Sequence, residues 1–552
     1  MDKLPPEILL HILEFTVVAL YGNKNGLLRL RTTCKLFDEV LKPFALRTLQ
    51  LEFTRLDRTE RRLRPPDDDA LRRIGPLCRA LYLDMMVVRD EGTVIMDIFS
   101  IALIDMHGIT GEVRFLGDMF AQVPTMNTFV SSLRHRYCMN EASFTEIDYR
   151  HQLGFMLEHA PNVTAVKLNL PFQLVSPGQF RAATMILGNS FEALAQRPEG
   201  SETLKTLVLE NLSDMSVVSL WRNPQDVKNI MEAFSDLRNL FMSVRRNEEG
   251  QAHTINFRNR LWEMIGKAEK LESLCLVDLD ADEKHYWDIK TSSQRDSTLE
   301  DWQYRCVPTI RKPPKSVLPN LACLELRQVE VMGCGLLSMF KCFSNSLREL
   351  YLDGVYLKTV YSAESPQDIN NTLWIGLPNV RPPLNHRWVA VYLRQLKAQL
   401  RVCRVANLGY DQYVMGEEPL ENNATYDLVD PSGLSRSLEQ RFVEVATGFK
   451  QPPAADGSPV TYLPEEESQE AWALADRERP SNMRIDDWHA SYYLSTQRNP
   501  TSAWQKSIDG QFSNCNQFTL NALHNFADNA YNGMTLLNRM SDAEMSYAHG
   551  VM

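Results

Sequence analysis

The residues of this chain with the chemistry to attack a substrate or move a proton are Cys515 with His489 or His524, and the adjacent acids Asp486-Asp487. A cysteine nucleophile needs a neighbouring base or positive charge to hold it as the thiolate, and paired carboxylates need environments that separate their pKa values. None of these residues stands in a nucleophile-elbow, metal-ligand or phosphate-loop pattern. Gly333-Cys334-Gly335 precedes a helical stretch but lacks the third glycine of a dinucleotide loop and the lysine of a phosphate cradle. Ten cysteines are spread from Cys34 to Cys515 without a Cys-x-x-Cys pair. That dispersal fits thiols of a reducing compartment better than a disulfide framework or a structural zinc site. The expectation is a protein without catalytic residues, cofactor or metal.

Elements must then position a binding surface. With 552 residues, 44% of them hydrophobic, the chain has the material for a large core and more than one structural unit. A formal net charge of -11 argues against nucleic acid as a partner, because affinity for phosphates is built from clustered Lys and Arg. Two apolar runs, Ile8 to Leu20 and Val94 to Met106, are interrupted by His11 and Glu14 and by Asp97 and Asp105. Both fall short of the roughly 20 apolar residues of a membrane span, so no membrane partner is expected and the location is cytoplasmic or nuclear. The basic run Arg55, Arg58, Arg61, Arg62 and Arg64 is followed at once by Pro65, Pro66 and Asp67 to Asp69, and reads as a solvated linker of mixed charge.

At the N-terminus, Leu4-Pro5-Pro6-Glu7 leads into Ile8, Leu9, Ile12 and Leu13. Prolines open a helix without losing a hydrogen bond, an acid suits its first turn, and the apolar spacing is helical. Gly22, Asn23, Asn25 and Gly26 predict a turn. Leu27, Leu28 and Leu30, then Thr33 to Leu41, predict two further short helices ending near Pro43. Three small helices cannot easily close a core alone, so their apolar faces call for a partner.

The set Leu4-Pro5-x-Glu7-Ile8-Leu9, Ile12, Leu13, Leu27-Leu28-x-Leu30, Cys34-Lys35-x-Phe37 and Phe44 resembles an F-box, covering residues 1–45. The resemblance implies docking on a Skp-type adaptor that links the chain to a cullin. It also implies that Leu4, Pro5, Ile8, Leu9 and Ile12 face that adaptor. The sequence departs from the family in a longer segment from Thr16 to Gly26, and in Phe37, which stands where Trp is common.

Residues 46–408 carry an apolar residue at i, i+3, i+5 and often i+8. The clearest copies are Leu204-x-x-Leu207-x-Leu209-x-x-Leu212, Leu271-x-x-Leu274-x-Leu276-x-x-Leu279, Leu321-x-x-Leu324-x-Leu326-x-x-Val329 and Leu347-x-x-Leu350-x-Leu352-x-x-Val355. Weaker copies start at Val163, Leu237 and Leu400, and another begins at Leu46. Helical spacing fills Tyr149 to His159, Phe180 to Ala195, Val227 to Phe234, Leu261 to Lys267, Leu336 to Cys342 and Trp388 to Leu396. Helix then strand, repeated, stacks into one core with a parallel sheet along one side. The fold class expected is α/β: a three-helix F-box followed by an irregular leucine-rich-repeat-like solenoid with parallel strands. The array resembles the leucine-rich-repeat horseshoe. From Val163 onward its copies start 26 to 53 residues apart, which predicts long insertions; Leu-rich strands of another α/β fold are the alternative.

Residues flanking the inward pair of each strand face outward, on the surface where that family often binds partners. Among them Phe241, Arg327 and Tyr351 are the types that most often anchor interfaces, and are the expected substrate contacts. From Asp411 to Asp430 there are six acids and no Lys or Arg, and Pro and Glu enrich Gln451 to Glu470. Residues 409–470 therefore read as an exposed connector. In the extension, residues 471–552, the aromatics Trp472, Trp488, Tyr492, Tyr493, Trp504 and Phe512 predict ordered packing that wraps back on the last repeats, or a separate ligand-binding element.

Together these readings predict a substrate-recruiting adaptor of a Skp-cullin-F-box ubiquitin ligase that binds a protein substrate through the repeat array. A non-ligase interaction scaffold using the same surface is the second reading.

Overall fold

Pro6 in the first turn and Glu7 beside the positive end of the backbone dipole open helix α1, Pro6–Ala19, in the computed structural model of the chain. The structure describes residues 5–20, 23–53, 63–64, 67–86, 88, 145–171, 181–246, 251–278, 290–291, 298–299, 302, 318–362, 372–376, 387–396, 400–415, 427, 436–447 and 501–513, with single positions from 515 to 539. Helix α1 continues through Thr16, whose carbonyl accepts from Leu20 N at 2.9 Å, so much of the long segment after Thr16 is helix. Asn23 caps α2, Lys24–Arg31, by accepting from Gly26 N at 2.9 Å, which places Asn25 and Gly26 in the helix instead of in a turn. Helix α3, Lys35–Ala45, is tied to α2 by the Arg31–Asp38 ion pair at 2.7 Å. Leu13, Leu27, Phe37, Leu41 and Ala45 form the core of this module.

The chain divides into two compact units, Met1–Asn211 with Ser507–Met552, and Leu212–Lys506. In the first, strands β1 (Thr48–Phe53), β2 (Leu63–Arg64), β3 (Ala80–Asp84), β4 (Ala165–Asn169) and β5 (Thr206–Ser213) lie in the order β2-β1-β3-β4-β5. All pair in parallel except β2, which runs antiparallel to β1. Parallel neighbours need crossovers, and helices Glu146–His159 and Arg181–Ala195, close to the stretches expected, precede β4 and β5. The apolar positions align across the sheet: Leu49, Leu81, Val166 and Leu207 in one row, Leu51, Leu83, Leu168 and Leu209 in another. Strand β3 belongs to a copy that the sequence reading passed over, Cys78-x-x-Leu81-x-Leu83-x-x-Met86, in which Cys replaces the first Leu.

The second unit repeats the plan. Strands β6 (Asn239–Arg245), β7 (Ser273–Asp278), β9 (Cys323–Met332) and β10 (Glu349–Ser362) pair in parallel in that order. Long β10 then pairs with two strands in succession, β13 (Val402–Ala406) and β14 (Gly409–Met415), and β14 with the short β8 (Lys290–Thr291). A separate parallel pair joins β11 (Thr372–Leu373) to β12 (Arg387–Trp388). Helices Pro224–Phe234, Gln251–Gly266, Gly333–Phe343 and Val389–Gln395 fall on stretches with helical spacing, and the helix Asp214–Leu220 is an addition to them. Helix Gly333–Phe343 starts on the Gly-Cys-Gly run for a packing reason: a side chain at Gly333 would collide with Thr372.

Residues 409–470, expected as an exposed connector, include ordered, buried structure. Gly409–Met415 is strand β14, and the helix Leu438–Thr447 buries Phe442 and Val443. The acids of this stretch were read as solvent-facing, but Asp427 accepts from Ile375 N at 3.0 Å, from Gly376 N at 2.7 Å and from the Tyr410 hydroxyl. A buried carboxylate with three donors holds its loop in place of water. Residues 448–470 lie outside the described residues.

Candidate functional site

Because side chains alternate along a strand, the residues between the buried leucines share the opposite sheet face. The observed registers set them in rows. In the second unit one row runs Phe241, Cys275, Glu325, Tyr351, Arg404, and the next runs Ser243, Val277, Arg327, Asp353, Ala406. Phe241, Tyr351 and Arg327 therefore lie on one face, as the outward positions predict. None stands open. Phe241 and Tyr351 are buried, the Tyr351 hydroxyl donates to Glu349 Oε2 at 3.0 Å, and Arg327 pairs with Glu325 Oε1 at 2.5 Å. Burial raises the pKa of Glu325, and Arg327 and Ser502 pull it partly back.

Ser502 is the reason that this face is not bare: its hydroxyl donates to Glu325 Oε2 at 2.8 Å. It precedes the helix Ala503–Gln511, whose Trp504 acts on Cys323 of β9, although burial dominates and pushes that thiol up.

In the first unit the matching rows are Gln50, Tyr82, Lys167, Val208 and Glu52, Asp84, Asn169, Glu210. Lys167 pairs with Glu210 at 2.7 Å and lies 5.7 Å from the centre of the Tyr82 ring. Asn169 donates to Asp84 Oδ1 at 3.1 Å and accepts from Asn211 at 2.8 Å. Asp84 is fully buried beside Glu52, and burial first, then the Glu52 carboxylate, raises its pKa to about 7; the Met86 amide offsets part of the rise. Here too the C-terminal segment covers the face. Arg47 donates to Gly510 O at 3.2 Å, Thr48 Oγ1 to Gln511 O at 3.3 Å, and Thr519 N to Glu52 Oε1 at 2.9 Å. Phe512 stands 6.2 Å from Tyr82, ring centre to ring centre. The extension thus reaches back to the first strands as well as to β9, where wrapping on the last repeats was expected.

A third polar cluster sits beyond Gly354 of β10. Lys358 Nζ lies 3.1 Å from Glu330 Oε2 and 2.9 Å from Asp411 Oδ2, donates to Trp302 O at 2.7 Å, and stands 4.4 Å from the Trp302 ring centre. With its ammonium turned to these partners, it carries an ion-pair cluster.

The nucleophile candidate fares no better. Cys515 is buried, and burial pushes its thiol up, away from the thiolate that attack requires, while His524 is exposed. His489 and Asp486-Asp487 lie outside the described residues, as do Trp472, Trp488, Tyr492 and Tyr493, the basic run Arg55 to Arg62 and the stretch Val94 to Met106. Among the described residues no group of three or more His, Cys, Asp and Glu side chains is placed to hold a metal, and no helix is long and apolar enough to cross a membrane.

At the N-terminus the adaptor-facing candidates are spread along one helix. Pro5 is exposed, Ile8 is 46% and Ile12 39% exposed, and Leu9 is half-buried; Leu4 lies outside the described residues. Phe15, 76% exposed, and Val18, 73% exposed, continue the line at i+7 and i+10 from Ile8. The same helical spacing that marked Ile8 and Ile12 would have found both. Helix α1 is thus apolar on two sides, with Leu13 in the core and the Ile8–Ile12–Phe15–Val18 line facing out.

No model of a known protein family matches the chain, and no curated protein sequence matches it.

Proposed function

We propose that this chain is an F-box-type adaptor that fixes a protein substrate to a Skp-cullin ubiquitin ligase. The observation that carries the reading is the exposed apolar line Ile8, Ile12, Phe15 and Val18 on a helix whose opposite side already fills the core of its own module. Exposed apolar patches on a well-packed element mark a surface that another protein covers. A Skp-type adaptor is the partner that the F-box-like order of residues in 1–45 implies, with Leu4, Pro5, Ile8, Leu9 and Ile12 against it.

The parallel strands and the helices between them then read as an irregular leucine-rich-repeat-like solenoid, and its outward face as the place where a substrate is held. The mechanism is templating: proximity raises the effective concentration of substrate lysines near the charged ubiquitin carrier, and this chain performs no chemistry. Co-purification with a Skp-type adaptor tests the reading. Wild type is expected to retain the adaptor and a Leu4→Ala, Pro5→Ala double variant to lose it; a folded wild type that retains none overturns the reading.

A further inference from the structure

The outward face of the sheet differs from its apolar side in one respect that bears on what occupies it. Gln50, Glu52, Asp84, Lys167 and Glu210 make it polar in the first unit, yet Glu52 and Asp84 are buried. The chain's own C-terminal segment lies against this side of the sheet: Gly510 and Gln511 carbonyls accept from Arg47 and Thr48, Thr519 donates to Glu52, and Phe512 stands beside Tyr82. A face that served only as core would be apolar like the other, because buried polar groups cost free energy wherever they are imperfectly matched. The match is imperfect: the hydrogen bonds that Met86 and Thr519 offer Asp84 do not offset its burial, and its pKa stays raised. In the second unit the contact is of the same kind, a hydroxyl on a buried carboxylate, Ser502 on Glu325.

We propose that this face of the first unit is a peptide-binding surface which residues 510–519 fill in cis, and that a protein partner reaches it by displacing them. The displacing ligand is a protein segment presenting what the cis segment presents, an aromatic ring in the place of Phe512 and a hydroxyl in the place of Thr519. Polar groups uncovered by displacement are then met by water or by the ligand, which is why a polar face tolerates exchange where an apolar one does not. The inference rests on the reading of the outward face as the place where a substrate is held, and its test on the sheet face is separate from adaptor capture by helix α1.

The test uses the full chain and a fluorescent peptide with the sequence of residues 500–521. A tethered segment acts at an effective concentration on the order of millimolar, so wild type is expected to bind the free peptide at least about tenfold more weakly than a Phe512→Ala, Thr519→Ala variant does. A folded variant that binds the peptide no better than wild type overturns the proposal. Native-state hydrogen exchange on unaltered protein decides the matter if the variant does not fold. The amide of Thr519 is expected to exchange on the order of a hundredfold faster than those of Leu81 and Leu83, through an opening that leaves the sheet intact. Exchange of Thr519 only together with the strand amides, in global unfolding, overturns it equally.

Discussion

Gly354 of β10 lies beside Gln328 of β9, and both have left-handed backbone, at φ 65° and 50°. Asn211 and Asn407 share that conformation, and all four stand seven residues after the first apolar position of their copies, at Leu204, Leu321, Leu347 and Leu400. The register skips these positions: Asp353 faces Arg327 and Val355 faces Val329. Each is a left-handed kink, and those at Gln328 and Gly354 face each other with no extra residue on either strand; past Gly354, β10 leaves β13 and joins β14. A Cβ at Gly354 would meet nothing nearer than 3.5 Å, so conformation alone sets the effect of a substitution there. Gly354→Ala is expected to destabilise by about 1–2 kcal/mol, the left-handed penalty of an L-residue, with Gln328→Gly neutral or slightly stabilising. Urea unfolding of the two variants checks the pair.

Lys358 pairs with both Glu330 and Asp411, and its side chain is wholly buried. Burial and the Glu330 carboxylate raise the pKa of Asp411, and Lys358 works against both. Removing the cation leaves buried Asp411 facing half-buried Glu330 with no ion pair from Lys358, so Lys358→Met is expected to cost about 3–5 kcal/mol. Adding Glu330→Gln and Asp411→Asn to that variant removes the repulsion and is expected to restore most of the loss, again by urea unfolding.

Local pattern made much of the sheet legible. The Leu207 and Leu209 spacing placed β5 in register with Val166 and Leu168, and the copies at Leu271, Leu321 and Leu347 did the same for β7, β9 and β10. At β3 the same spacing is present, with Cys78 in the first position, and was passed over. Asn211, Gly354 and Asn407 were readable too, as residue types that tolerate left-handed backbone at a repeated position; Gln328 is not such a type. What no local pattern carries is the seating of Thr519 on Glu52 or of Ser502 on Glu325, since a polar pair hundreds of residues apart leaves no periodic trace. Phe241 and Tyr351, read as outward-facing, are buried.

Asp84 supplies a pH dependence. Its folded pKa, about 7, lies above the ordinary carboxylate value of 3.8, so the folded state binds the proton more tightly than the unfolded chain does. Stability from this group is therefore lost as pH rises from about 4 to 7 and is constant beyond. Glu52 and Glu210 face it and strengthen the effect, while Lys167 is engaged by Glu210. Asp84→Asn keeps an oxygen for the Asn169 and Met86 donors and removes the titration. Relative to wild type, the variant is expected to gain about 2–3 kcal/mol between pH 5 and pH 8. Chemical denaturation at the two pH values measures that difference of differences.

The N-terminal module separates binding from folding, because α1 turns one apolar line outward and another inward. Phe15 is 76% exposed and contributes little to the core, whereas Leu41 is fully buried within it. Phe15→Glu is expected to change stability by less than about 0.5 kcal/mol, as a surface substitution does, and Leu41→Ala to cost about 2–5 kcal/mol by opening a cavity. Capture of a Skp-type adaptor should respond in the opposite order. A charge in the middle of a desolvated apolar contact is expected to weaken capture by more than tenfold, on the order of 1.4 kcal/mol or above. Leu41→Ala, where it still folds, is expected to bind as wild type does. Pull-down of the adaptor alongside thermal melts of both variants measures the two effects together, and a Phe15→Glu chain that binds normally would take the Ile8–Val18 line out of the interface.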